Sequence, residues 1–152
     1  MTQLVVEKDI VLKRLNGIQQ EVAELTALGE IPFEEFQKQK GFELSQYHLH
    51  RALEGVFNII AHILSRIPGA QATKYSELAQ NFGKHRLIDL EFSQTKLIQM
   101  AKYRNRLVHF YAEVTPKEIY AILQHDLDDF DVFLSAVKNI LEYPEKYGLR
   151  VE

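Results

Sequence analysis

The stretch Arg51-Ala52-Leu53-Glu54-Gly55-Val56-Phe57-Asn58-Ile59-Ile60-Ala61-His62-Ile63-Leu64 decides the fold. Counting Leu49 ahead of it, Leu53, Val56, Phe57, Ile60, Ile63 and Leu64 recur at three- and four-residue steps. That spacing is the signature of a helix with one broad apolar stripe. A long helix from about 43 to 66 is expected, and Pro68-Gly69 stops it. So wide a stripe cannot face water, and other elements have to cover it.

Upstream, Leu4, Val11, Ile18 and Leu25 recur every seven residues, with Leu15 and Val22 interleaved. They predict an amphipathic helix over about 4–27, ending before Gly29. Pro32 opens a short segment from Phe33 to Lys40 that Gly41 closes. Downstream, 69–74 reads as loop, and Ser76 to Phe82 as a short helix ended by Gly83. A third long helix should start near 87 or 93 and reach 109, with Leu97, Met100, Ala101, Leu107 and Val108 on its core face. The last helix has the clearest start. Thr115-Pro116-Lys117-Glu118 forms a capping box, with a threonine cap, proline at the first helical position and a glutamate reaching back to the cap amide. Its apolar face continues from Ile119 to Leu141, and Pro144 ends it. No segment reads as a strand. The expected fold is all-α, an antiparallel bundle of four principal helices with one or two short extra helices, forming a single domain over 1–152.

Composition narrows the chemistry. The chain has 152 residues, 46% of them hydrophobic, which suffices for one core. It has no cysteine, which removes disulfides, thiolate metal sites and cysteine nucleophiles together. The opening residues Met1 to Asp9 lack a basic segment followed by an apolar run, so no signal peptide is expected. No apolar stretch approaches the roughly 20 residues needed to span a bilayer. A soluble, cytoplasmic protein without membrane contact is expected.

Chemical potential concentrates in Lys102-Tyr103-Arg104-Asn105-Arg106-Leu107-Val108-His109-Phe110-Tyr111. From Phe92 to Ala112 there is no acid, while Lys96, Lys102, Arg104, Arg106 and His109 lie within it. In a chain of net charge −3, that local reversal reads as an anion-binding surface. A histidine beside guanidinium groups can act on a phosphodiester.

The pattern Arg104-x4-His109-x-Tyr111, with polar Asn105 after the arginine, resembles the signature of the HEPN superfamily and, more closely, of the HepT-type ribonuclease toxins. The likeness extends to Arg51–Leu64, to Met100–His109 and to the helix after Pro116, so it covers roughly residues 1–142. It implies a metal-independent endoribonuclease, with no cofactor, whose RNA site pairs two copies of the motif across a homodimer or higher assembly. Arg104, His109 and Asn105 would be the catalytic residues, and Lys96, Lys102 and Arg106 would bind RNA. It also implies that Tyr111 is AMPylated by a cognate minimal nucleotidyltransferase (MNT) antitoxin.

Histidine's ordinary pKa of about 6.5 suits it to take a ribose 2′-hydroxyl proton near neutral pH. Charge developing on the phosphoryl oxygens calls for the permanent, fork-shaped cation of an arginine. Asn105 would orient the phosphate or the imidazole. Arg104 and His109 are offset by about 140° on an ideal helix, so they do not stack. Either the helix frays near His109, or the site draws on two subunits.

Plainer readings stand beside these. Arg104 and Arg106 could solvate an exposed face, with His109 a helix-end residue favoured by the dipole. A non-catalytic helical substrate-binding subunit of a nucleotidyltransferase is the alternative function. His48-x-His50 places its two histidines on different faces, and no zinc pattern surrounds it. His62 and His125 read as structural histidines, and Arg51 with Glu54 as a helix-surface ion pair. Asp126, Asp128, Asp129 and Asp131 read as a solvated acidic surface or a dock for a basic partner.

Overall fold

In a computed structural model the described residues are 4–152, so residues 1–3 of the Met1 to Asp9 reading lie outside them. β1 (Val5–Val6) leads into α1 (Lys8–Gly29), α2 (Phe33–Lys38) and α3 (Gly41–Leu64). α4 (Tyr75–Lys84) precedes three helical pieces end to end: α5 (Leu90–Phe92), a π-helical turn (Ser93–Leu97) and α6 (Ile98–His109). α7 (Pro116–His125), α8 (Asp128–Glu142) and β2 (Arg150–Val151) complete the chain. The architecture is the all-α bundle that the apolar periodicity predicts.

α3 is its axis. Ala52, Leu53, Val56, Phe57, Ile59, Ile60, Ile63 and Leu64 are all buried, so its C-terminal half is covered on more than the predicted stripe. α1 lies along it in the largest interface of the fold. A Cβ at Gly55 would sit 2.7 Å from Ile18 Cγ1, so this glycine sets how closely the two helices approach. Val11, Leu15, Ile18 and Leu25 fill the seam from the α1 side.

Several boundaries differ from the sequence reading. Leu4 is 53% exposed and precedes α1 instead of joining its seam. Residues 5–6 form a short parallel pair with Arg150–Val151, a ladder too brief to leave an alternating pattern. His62 secures this end: its Nε2 accepts from the Glu7 amide at 3.1 Å, and Arg66 Nε donates to the Val5 carbonyl at 3.0 Å. Burial and the nearby Arg66 and Arg14 charges hold the His62 pKa below its ordinary value, which favours the neutral acceptor. The structural role expected of it is met.

Gly41 opens α3 rather than closing the segment before it, and Gly83 lies inside α4 rather than after it. A Cβ at Gly83 would overlap Ser93, whose Oγ donates to the Ala79 carbonyl at 2.7 Å. Val108 is only partly buried, whereas Leu97, Met100, Ala101 and Leu107 form the core face as expected. The last helix is two helices, because the chain turns at Asp126–Leu127 although its apolar face runs on.

Gly55→Val should therefore cost about 2 kcal/mol of stability by overpacking. Chemical denaturation would report it as a lower midpoint at unchanged slope. Ile18→Val in the same chain should restore part of the loss.

Candidate functional site

α6 carries the motif, and neighbouring helices dictate where its charges go. Arg104 points toward α3 and α4. Its Nε donates to Glu54 Oε1, Nη1 donates to Asn105 Oδ1 at 3.1 Å, and its guanidinium lies 4.1 Å from the Tyr75 ring centroid. Tyr75 in turn donates its hydroxyl to Glu54 Oε2 at 3.0 Å, and His50 Nε2 lies 3.4 Å from Glu54 Oε1. Burial alone would raise the Glu54 pKa, but the bonds from Arg104 and Tyr75 prevail and hold it below the ordinary carboxylate value.

Arg106, two residues on, turns toward α7. Its Nε and Nη2 form a fork on Glu118 at 2.8 and 3.0 Å, and Nη2 also donates to the Glu113 carbonyl at 3.3 Å. The Arg106 hydrogen bond lowers the Glu118 pKa more than burial raises it. The capping box is thereby corrected by half. Thr115 Oγ1 accepts from the Glu118 amide at 3.2 Å as expected, but the Glu118 carboxylate serves Arg106 rather than the cap amide.

Tyr103 lies between these two sides, its hydroxyl buried beside Glu118. Burial first, then the Glu118 charge, drives its pKa well above the usual phenol value. It lines a cavity of about 260 Å³ with Leu53, Met100, Ile122 and Phe130. Lys96 stands exposed at the rim of that cavity, near Asp129, away from the Arg104 cluster. Lys102 is exposed on α6.

α6 stays helical through His109, so fraying does not bring His109 around to Arg104. His109 is exposed at the helix end, and no hydrogen bond reaches its ring among the described residues. Phe110 caps the helix with φ −133 and ψ 31, and a single 3₁₀ turn, Tyr111–Glu113, follows. Tyr111 is 67% exposed, and its carbonyl faces Gln46 Nε2 at 3.5 Å.

The Arg51–Glu54 pair read from sequence does not form. Arg51 Nε reaches across to Glu21 Oε1 at 2.8 Å, where His48 Nδ1 also meets Glu21 Oε2 at 2.6 Å. Glu54 and Tyr75 were invisible as site residues for this reason. Glu54 already had a plausible partner three residues away, and Tyr75 sits in a short helix with no motif of its own. The available signal was a carboxylate set between the apolar pairs Ala52–Leu53 and Val56–Phe57 of α3, where a partly buried charge calls for a counter-charge. Among the described residues no group of three or more histidine, aspartate or glutamate side chains is arranged to hold a metal ion.

Residues 18–137 match the family described as Ribonuclease HepT-like. The chain belongs to that family. This HepT-like bundle also superposes on solved structures. One is a rebuilt and re-refined structure of a tri-AMPylated Shewanella oneidensis HEPN toxin in complex with MNT antitoxin. The match has TM-score 0.77 and 22% identity, covering 86% of this chain and 98% of that one. Another is a toxin–antitoxin crystal structure with AMP-PNP, at TM-score 0.75 and 20% identity, with the same coverages of 86% and 98%. At such identities the likeness shows the HEPN fold. No curated protein sequence matches. Among the described residues, no helix is long and apolar enough to cross a membrane.

The HepT-like motif helix should feel acid through Glu118. Its folded pKa lies below the ordinary 4.5, so the Arg106 pair stabilises fully above that value and is lost as pH falls through the lower, folded one. Denaturation midpoints between pH 3 and pH 7 should fall less steeply with acid in Glu118→Gln than in the parent. Parallel curves would show that the pair contributes nothing to the acid limb.

Proposed function

We propose that this chain is the toxin of a two-gene toxin–antitoxin pair, a metal-independent endoribonuclease that acts in the cytoplasm as a homodimer or higher assembly. The observation that carries the reading is the state of the motif arginine. Arg104 is braced through Nε and Nη1, while Nη2 makes no hydrogen bond among the described residues. A guanidinium fixed in place with a free donor end suits a phosphoryl oxygen that gains charge in a transition state.

In this mechanism the His109 imidazole takes the proton from a ribose 2′-hydroxyl. The 2′-oxygen attacks the adjacent phosphorus, the bond from phosphorus to the 5′-oxygen breaks, and that oxygen takes up a proton. The products are a 2′,3′-cyclic phosphate and a 5′-hydroxyl end. Arg104 stabilises the phosphoryl oxygens and Asn105 sets the guanidinium's angle. Lys96, Lys102 and Arg106 add positive field for the RNA backbone, Arg106 less so because Glu118 offsets its charge.

Helix geometry separates Arg104 from His109, and α6 does not fray, which favours a site completed by a second copy. A twofold contact is self-complementary, and Tyr47 and Phe110, each 55% exposed, offer apolar surface near the motif. The tests run on purified chain. Arg104→Ala should lower RNA cleavage by at least about 10²-fold and His109→Ala by about 10²- to 10⁴-fold, with chelator inert. Products ending in 3′-hydroxyl groups would contradict 2′-hydroxyl attack. A monomer at micromolar concentration with full activity would exclude the composite site.

Silencing is assigned to Tyr111, the exposed phenol two residues beyond His109. Its oxygen attacks the α-phosphorus of ATP in an MNT-domain antitoxin, pyrophosphate leaves, and the phenol proton is lost. Each AMP brings an anionic phosphodiester and an adenine beside the basic patch, occupying the RNA site and repelling the substrate. Incubation with the nucleotidyltransferase and ATP should raise the mass of the chain by AMP units and abolish cleavage. Tyr111→Phe should stay nearly as active and escape the modification. Equal inhibition of the phenylalanine variant would point instead to steric neutralisation by complex formation.

A further inference from the structure

The two motif arginines, two residues apart and so on nearly opposite faces of α6, are handled differently. Glu118 closes both of its oxygens on Arg106 through Nε and Nη2, the fork geometry of a structural ion pair. Glu54 takes only Nε of Arg104 and spends its other oxygen on the Tyr75 hydroxyl. An ion pair built only for stability would gain from the second guanidinium donor. At Arg104 Nη2 takes no hydrogen-bond partner among the described residues, although the side chain is only 18% exposed.

We propose that Glu54 and Tyr75 are positioning residues that hold the Arg104 guanidinium in one orientation with its Nη2 end offered to the scissile phosphate. The proposal rests on the nuclease reading and deepens it. Three constraints act on one planar group. The Glu54 bond fixes the Nε edge, Asn105 holds Nη1 at 3.1 Å, and the Tyr75 ring covers a face at 4.1 Å, well inside cation–π range. Arginine has many rotamers, and fixing them before RNA arrives removes an ordering cost from the catalytic step. The brace is itself braced: α3 supplies Glu54, α4 supplies Tyr75, and their mutual hydrogen bond ties the two helices to α6.

Glu54 also borders an open groove of about 490 Å³ shared with Arg14, Gly17, His50 and Arg51. Glu54 and His50 are therefore reached from solvent, and the Arg104 side chain beside them keeps 18% exposure. The carboxylate costs some attraction for RNA, since it offsets part of the Arg104 charge. A residue that orients a cation while weakening its field should affect turnover and substrate binding in opposite senses. Glu54→Gln keeps an acceptor for Nε and removes the charge. Glu54→Ala removes both.

Two readouts are needed, one of them independent of cleavage. Exchange of the Arg104 Nε–H with water, followed by ¹⁵N NMR, should be slow in the parent, faster in Glu54→Gln and fastest in Glu54→Ala. With RNA, Glu54→Ala should lose about tenfold to a hundredfold in kcat with KM unchanged or lower. Glu54→Gln should recover most of that kcat and show an equal or lower KM. Tyr75→Phe, which keeps the ring and drops the hydroxyl, should lose less kcat than Tyr75→Leu. Circular dichroism and thermal unfolding establish that each variant is folded. The proposal is overturned if folded Glu54→Ala keeps the parent kcat, or if its Arg104 Nε–H exchanges at the parent rate. A parent chain that cuts no RNA overturns the nuclease reading and this proposal together, whereas failure of the proposal alone leaves the parent and Tyr111→Phe active.

Discussion

A largely buried helix leaves little room for an unpaired charge, and the C-terminal half of α3 imposes that constraint on its neighbours. Its second half presents Val56, Phe57, Ile59, Ile60, Ile63 and Leu64 to the interior and leaves only a narrow exposed edge at Asn58 and Ala61. Leaving a carboxylate or imidazole unpaired there would cost several kcal/mol, so each needs a partner of matching chemistry. His62 accepts a backbone amide from the start of α1, and Glu54, at the edge of the dry zone, gathers Arg104, Tyr75 and His50. The ends of the chain and the motif helix are thus both located by polar groups that α3 cannot leave unsatisfied.

The same logic redraws the basic patch. Read along the sequence, the acid-free run from Phe92 to Ala112 is uniformly positive. In three dimensions the counter-charges come from elsewhere in the chain, Glu54 from α3 and Glu118 from α7. What remains without a counter-charge is narrower: Lys102 and the exposed end of α6, with Nη2 of Arg104 unbonded among the described residues. A focused positive site beside apolar surface discriminates by position, whereas a broad basic face attracts polyanions without register.

Most of the helices were legible because amphipathic periodicity is a local property. The α1 seam, α3, the core face of α6 and the Thr115 cap all follow from residues within a turn or two of one another. The failures share a cause. The apolar period crosses Asp126–Leu127 without a fault, so only the packing of α7 and α8 against different neighbours reveals the turn. The β1–β2 pair joins the two ends of the chain through two residues on each side, too few to show alternation. Arg51 and Glu54 satisfy every local rule for an ion pair, yet Glu21 and Arg104 outcompete them from other helices. Likewise Arg104, His109 and Tyr111 were visible as a string, but the groups that hold Arg104 come from residues 50 and 29 positions earlier. Local interactions of a few tenths of a kcal/mol yield readily to tertiary contacts made at a partly buried site.

The end of α6 shows how those contacts shape the proposed chemistry. Arg106 joins Glu118 and the Glu113 carbonyl, while Gln46 of α3 meets the Tyr111 carbonyl, so the chain beyond His109 is fastened on both sides. Val114, 5% exposed, returns to the core immediately afterwards. The side chains of His109, Phe110 and Tyr111 are left to project from a stretch held at both ends. Under the proposed reading, that turn needs both properties. A base must be exposed to reach RNA yet fixed to keep its aim, and a phenol must be open to a transferase yet near enough for its adduct to cover the base. The Arg106–Glu118 fork supplies the fixity without entering the reaction, which explains why two arginines so close in sequence carry such different partners.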